Sequence, residues 1–408
     1  MNTRVCFFAS GTAASALACL ASTATYADGL QPAVSAARES KPIIDLRVRS
    51  ESVDQDGMAN DADAITFRAR LGFETGKAWD TTFLAEGDFL TPLESHYNST
   101  VNGKTAYPVV ADAETYEVNR LQLTNTSLAD TTITLGRQRI NLDDQRFVGN
   151  VGWRQNEQTY DGVRFVNKSL RNLTVDVTYF DQVNRVFGKD SPVGRYNGDN
   201  YLANVAYELP VGKLTAFAYL TDFDEAPRDS AETLGLRFAG EKPVMKVKLA
   251  YLVSWAQQTE RANNPLSFSQ DFYAAELVGT FRQYSIGAGF EVMEGNGVRG
   301  FATPLATFHK FDGWADKFLT TPPNGLERGY VTLGYTTKGV GILDTLAANA
   351  VYHEFKSERL AIDYGSEVDL QLQAKYRRFN FLLKYADYSA DRFATDTNKY
   401  WVQMDYVW

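Results

Sequence analysis

The chain has 408 residues and a formal charge of −9 with no basic run, which excludes nucleic acid as a partner. Its only cysteines, Cys6 and Cys19, sit near the start, so a disulfide-stapled secreted domain is excluded too. A mean hydropathy of −0.31 with 13% aromatic residues leaves either soluble domains or a barrel in which only alternate strand residues meet lipid.

Residues 1–27 read as a Sec-type signal peptide. Arg4 is the only charge, Val5 to Leu20 is apolar and small, and Thr25-Tyr26-Ala27 ends on a small residue. The apolar run falls short of the ~20 residues a membrane helix needs. Both cysteines lie inside it, so the mature chain is cysteine-free. Residues 28–42 then form a periplasmic N-terminal segment ahead of a barrel over 43–408.

The first strand is predicted over 40–53, where Ile44, Leu46 and Val48 alternate with Asp45, Arg47 and Arg49. After an acidic loop, Ile65, Phe67, Ala69 and Leu71 alternate with Thr66, Arg68 and Arg70. A tight return at 75–77 leads to a third strand carrying Trp79, Phe83 and Ala85 on its apolar face, with Asp80, Glu86 and Asp88 inward. A long loop spans 90–114, a strand 115–125, and a short turn 128–130. Residues 131–168 then run strand, polar excursion and strand. The rhythm of short turn and long loop continues to the end. It includes a turn at 240–243 before a strand from Met245, and a long loop over 293–327. The last strand sets Tyr400, Val402, Met404, Tyr406 and Trp408 on one face, an aromatic ending of the kind barrel-assembly machinery reads.

The pattern predicts an all-β fold: a transmembrane antiparallel β-barrel of about eighteen strands, with short periplasmic turns and long extracellular loops. Ten residues at ~3.3 Å each, tilted by ~45°, span about 23 Å, which matches the apolar belt of such a barrel. A soluble sandwich or propeller is the competing architecture. The signal, the loop rhythm and the aromatic last strand weigh against it, and no fixed-length repeat supports a propeller. The expected place is the bacterial outer membrane, as a monomer among lipid and lipopolysaccharide.

If apolar faces meet lipid, the charged faces line the lumen, since a lipid-facing Arg at mid-membrane costs ~2–4 kcal/mol. Arg47, Arg49, Arg68, Arg70 and Arg164 therefore point inward, among acids such as Asp45, Glu51, Glu86, Asp88 and Asp176. Lateral ion-pair ladders that brace the wall are one reading; a charged constriction that sorts solutes by sign is the other. Arg120, Arg137, Arg139, Arg146 and Arg154 fall at strand ends or in the loop after the fifth strand. Their planar donor forks suit carboxylates, and they could equally meet lipopolysaccharide phosphates or the loop acids Asp143 and Asp144. These ten arginines are the candidate pore and substrate-binding residues.

His96, His309 and His353 stand far apart, and no nucleophile elbow, zinc motif or phosphate loop occurs, so no enzyme and no cofactor is expected. Asp54, Asp56, Asp61 and Asp63 could hold calcium at a loop, although the twelve-position pattern is missing.

Three stretches resemble the outer-membrane alginate export family: GRQRINLDDQRFVGNVGWRQNEQTYDGVRF from Gly136, FATPLATFHKFDGWADKFLTTP from Phe301, and, more weakly, GDFLTPLESHYN from Gly87. The resemblance implies an eighteen-stranded barrel and passive passage of an anionic polysaccharide or oligosaccharide, alginate-like, through an arginine-containing lumen. The acidic chain and its mixed lumen charges depart from the electropositive path of that family. Two further expectations stand beside it: a small-solute uptake porin with loops 89–114 and 293–327 folded inward, and a plugged structural or adhesive barrel.

Overall fold

The computed structural model describes residues 27–408, so the signal-peptide expectation lies outside them except at its last residue. A helix, α1 (Ala27–Arg38), precedes eighteen strands. These are β1 (Lys41–Gln55), β2 (Ala62–Glu74), β3 (Thr81–His96), β4 (Thr115–Asn125), β5 (Thr131–Gln138) and β6 (Thr159–Asn167). Next come β7 (Leu173–Asn184), β8 (Arg195–Leu209), β9 (Gly212–Leu220), β10 (Ala231–Val244), β11 (Val247–Glu260) and β12 (Ser269–Phe281). The last six are β13 (Tyr284–Met293), β14 (Leu326–Val340), β15 (Leu343–Lys356), β16 (Asp363–Tyr376), β17 (Phe379–Ala390) and β18 (Thr397–Val407).

Every strand pairs antiparallel with its neighbours in sequence, and β1 pairs with both β2 and β18, from Asp45↔Val407 to Gln55↔Thr397. The sheet closes on itself and leaves no free edge, the condition for spanning lipid with strands. Leu121, Leu123, Leu135, Val163 and Phe165 stand exposed on the outer face, while Arg49 and Arg68 on the inner face are almost fully buried. No helix among the described residues is long and apolar enough to cross a membrane.

Turns and loops segregate to opposite ends. At one end the hairpins are as short as two residues, with Met245, Arg282 and Arg377 at positive φ as primed turns require. Helix α1 docks there, the Gly76 amide donating to the Ala36 carbonyl at 2.9 Å.

Several boundaries differ from expectation, among them three at β3 and β10. Strand β3 runs on to His96, so the following loop is 97–114. Strand β10 continues through Gly240 and Pro243 to Val244. Its last residues pair only with β11, because β9 drops away after Ala239, so the missing proline N–H costs no ladder bond. Trp79 and Asp80 lie in the turn before β3, both at positive φ, rather than on the strand.

Two local devices shape the inner wall. The β3–β4 ladder shifts register between Glu86 and Gly87, a bulge that lets Asn119 and Arg120 both reach Glu86. Gly136 in β5 has φ +108°, and a Cβ there would lie 2.3 Å from the Leu121 carbonyl oxygen, so only glycine permits this approach.

The interior is not empty. Loop 139–158 leaves β5 and crosses the lumen. Its Asp143 accepts a hydrogen bond from Asn204 of β8 at 2.8 Å and its Asp144 one from Arg237 of β10 at 3.2 Å. Its far end meets the opposite wall, where Gln155 bonds Thr66 of β2 at 2.8 Å. Phe147 anchors the crossing, with its ring centroid 5.0 Å from Phe217, 5.1 Å from Phe272 and 6.2 Å from Phe301. Loop 294–325 folds in alongside, bridging Leu305 to Val148 as parallel strands do, with the Gly149 amide on the Leu305 carbonyl at 2.9 Å. Loop 97–114 joins them, burying Tyr97 and Val110 against Val53, Ala62 and Ala64.

Candidate functional site

Each of the ten candidate arginines has a carboxylate within ion-pair distance. On β1, Arg47 reaches Asp405 at 2.6 Å and Arg49 reaches Asp112 at 3.7 Å. On β2, Arg68 pairs with Asp45 at 2.6 Å, and Arg70 forks onto both oxygens of Asp88 at 2.6 Å. Arg120 of β4 forks onto Glu86 at 2.8 and 2.6 Å, and Arg137 of β5 onto Asp161 at 2.7 Å. Arg164 of β6 meets Asp176 of β7 at 3.0 Å. In loop 139–158, Arg139 holds Glu157 at 2.6 Å, Arg146 holds Glu291 at 2.8 Å, and Arg154 lies between Glu51 at 3.3 Å and Asp316 at 2.8 Å. Two-point guanidinium–carboxylate pairs fix geometry as well as charge.

These arginines also hold the loop itself. Arg47 Nη1 donates to the carbonyls of Gly152, Trp153 and Arg154 at 3.3–3.4 Å. Arg49 lies over the Trp153 ring, 4.1 Å from its centroid. Glu157 bridges Arg70 at 3.2 Å and Arg139. Burial alone would raise the Glu157 carboxyl, but Arg70 and Arg139 outweigh it and hold it down to about 2. The wall from β18 to β7 is thus a belt of matched charges, with its donors spent on acids and loop carbonyls.

Cations without a carboxylate partner lie elsewhere, among those lining a cavity of about 380 Å³ at the long-loop end. Apolar side chains such as Val109, Val186, Phe187 and Phe308 line it, together with Arg154, Arg185, Lys317 and Lys399. Asp316 is the single acid in that lining. Arg185 rests over the rings of Phe187 and Tyr196 at 5.0 and 4.2 Å and donates to the Val193 carbonyl. Lys317 donates to the Gln55 side chain at 3.1 Å. Neither has a carboxylate partner within 4.0 Å among the described residues. Burial, then the nearby Lys399, lowers Lys317 to about 8.

The floor of the cavity is a chain of polar contacts between loop and wall. Asp316 accepts from Lys399 of β18 at 2.9 Å and lies 2.7 Å from His309 Nδ1. His309 Nε2 in turn is 2.6 Å from Lys384 Nζ of β17. The Asp316 carboxylate can only accept, so the imidazole proton sits on Nδ1, facing it, and Nε2 accepts from Lys384. Trp153 stacks on His309 at 4.5 Å, and Lys384 Nζ lies 4.0 Å from the Trp153 ring and 3.6 Å from that of Trp314. Burial, then Lys384, holds His309 well below its ordinary value, so the ring is neutral.

The sequence brings Arg154 to this site and misses Arg185, Lys317, Lys399 and Asp316. Nothing in their local sequence marks them; they converge from three separate segments. No group of three or more His, Asp or Glu arranged to hold a metal ion occurs among the described residues, and Asp63, at the start of β2, accepts from Ser52 at 2.7 Å.

No family model and no curated protein matches the chain. Solved structures do. The chain resembles OccAB4 of Acinetobacter baumannii with a TM-score of 0.69 at 15% identity, covering 91% of this chain and 98% of that one. It resembles OccK3 (OpdO) of Pseudomonas aeruginosa with a TM-score of 0.70 at 13% identity, over 93% and 98% of the two chains. OpdK of the same organism, in a structure with vanillate, gives 0.66 at 13% identity, over 90% and 98%. At such identities the likeness fixes the fold: an eighteen-stranded barrel of the outer-membrane porin type.

The alginate-export assignment is corrected by these findings. The barrels the chain resembles are Occ proteins, and no family model supports the other assignment. Two of the three stretches that carried the resemblance lie in the inward loops 139–158 and 294–325 and the strands beside them, and the third in β3 and the start of loop 97–114. The lumen also lacks the surplus of positive charge that a polyuronate conduit calls for, because its arginines are matched by acids.

Proposed function

We propose that this chain forms a passive outer-membrane channel for small solutes, favouring one carboxylate on a compact apolar body. The observation that carries this reading is the cavity of about 380 Å³, with four cations against one acid and largely apolar walls. A cavity of that size suits a ligand of small-molecule dimensions. Three inward loops leave little room for a polymer threaded along the barrel. The structure of OpdK with vanillate, an aromatic carboxylate, agrees with this solute class. The same reading sends the chain through the Sec route on residues 1–27 and into the bacterial outer membrane.

Proteoliposome swelling tests it. Benzoate should enter faster than neutral sugars of similar mass, and an oligouronate of four or more units should be excluded. Equal entry of benzoate and sugar, or ready entry of the oligouronate, would sink the proposal. In planar bilayers the reversal potential under a salt gradient should report anion preference, and benzoate should block the small-ion current.

A further inference from the structure

Asp316 occupies an odd place in an otherwise cationic cavity. Its backbone sits in the left-handed region at φ 62°, which an aspartate tolerates but does not favour. Its side chain is only 6% exposed. Three donors converge on its two oxygens: His309 on one, Lys399 and Arg154 on the other. Lys399 has no other carboxylate within ion-pair distance among the described residues, and Arg154 has only Glu51 besides. Glu86 in the wall is as richly bonded, by Asn119 and Arg120 among others, but only Asp316 lies in the lining of the cavity. The same cavity is lined by Arg185 and Lys317, which hold no carboxylate among the described residues.

We infer that Asp316 is a tethered stand-in for the solute's carboxylate, seated on Lys399 and Arg154 until an incoming carboxylate exchanges with it. The inference rests on the small-carboxylate reading given above and deepens it. The solute is first held at the mouth by Lys317 and Arg185. It then takes over the Lys399 and Arg154 donors, and Asp316 swings away on its loop. The strained φ makes the swing easier, because it is compensated only while the carboxylate is held. The tether stabilises the loop when no solute is present. It also sets a threshold that a neutral molecule, with nothing to offer the two cations, does not pass.

The test compares wild type with Asp316→Asn, Asp316→Glu and Asp316→Gly in planar bilayers, with benzoate as the probe. Asp316→Asn keeps the shape and removes the competing charge. Its half-blocking benzoate concentration should fall roughly tenfold, since an exposed anion site no longer has an internal occupant. Asp316→Glu keeps the charge and should stay near wild type. Asp316→Gly relieves the φ, and free acetate should then compete with benzoate at concentrations without effect on wild type. Heat-modifiable mobility on gels establishes that each variant is folded.

An unchanged or raised half-blocking concentration in folded Asp316→Asn would overturn the inference. The parent reading fails separately. If wild type and Asp316→Asn both show neither anion preference nor benzoate block, the small-carboxylate channel itself is wrong. If wild type is blocked and Asp316→Asn is blocked no better, only the stand-in is wrong.

Discussion

The two sides of the barrel hold the same loop by different physics. From β18 through β7 the inner wall is a belt of arginine–carboxylate pairs, and residues 152–157 lie on it through Arg47, Arg49 and Arg70. Across the lumen, β9 and β12 offer aromatic rings, and Phe147 packs among Phe217, Tyr219 and Phe272. The charged wall fixes direction and register, because each fork accepts only one geometry. The aromatic wall supplies area without direction. The contrast separates holding from sorting. The arginines singled out in the sequence are paired with acids, several of them also holding the inward loop, while Arg185 and Lys317 of the cavity lining have no carboxylate partner among the described residues.

The largest effect should come from breaking the crossing where charge is deepest. Arg146→Ala leaves Glu291 and Asp312 buried beside one less cation, and removing one member of such a pair costs about 3–5 kcal/mol. The expected result is a lower unfolding temperature and a larger, noisier conductance as loop 139–158 comes free. A quiet channel of wild-type conductance would show that the crossing does not depend on charge.

Phe147→Ala attacks the other wall. Losing an aromatic anchor costs about 3 kcal/mol. Here the barrel ladder is untouched, so conductance should rise with little change in unfolding by denaturant. Equal losses in both readouts would erase the distinction between wall and plug.

Lys317→Gln should weaken benzoate block by roughly tenfold, the order expected for one charge-assisted hydrogen bond of about 1.5 kcal/mol. The pH profile sharpens this. Lys317 is lowered to about 8, so it is charged below that value and loses its proton as pH rises through it. Benzoate block should therefore weaken on the alkaline side of about pH 8 in wild type. The same step should be absent in Lys317→Gln, whatever the behaviour of other groups.

The smallest effect is expected at Arg164. Its pair with Asp176 is partly exposed and touches none of the inward loops. Pairs of that kind contribute about 0–1 kcal/mol. Arg164→Gln should leave reversal potential and stability nearly unchanged. A clear shift in anion preference would move the filter from the vestibule back to the wall.

Strand number, the outward and inward faces and the alternation of turn and loop were legible because they are local. A period of two is written in neighbouring residues, and a wrong register would put Arg47, Arg68 or Arg164 into lipid. Strand β4 matched its predicted bounds for this reason. The misreadings at Pro243 and Trp79 came from turn chemistry: a proline on a ladder with one free edge, and a tryptophan at positive φ.

What no local pattern could supply is where a loop goes and which charge meets which. Arg146 finds its partner 145 residues away and Arg49 bonds a side chain 354 residues away. The vestibule gathers Arg154, Arg185, Lys317 and Lys399 from four parts of the chain. Sequence by itself decided that the chain forms a closed wall with a polar inside, since burial and backbone pairing force that answer strand by strand. Only the tertiary structure decided that this inside is charge-matched, crossed by loops and left cationic at one mouth. Ion pairing and loop packing depend on distances that closure of the ring creates.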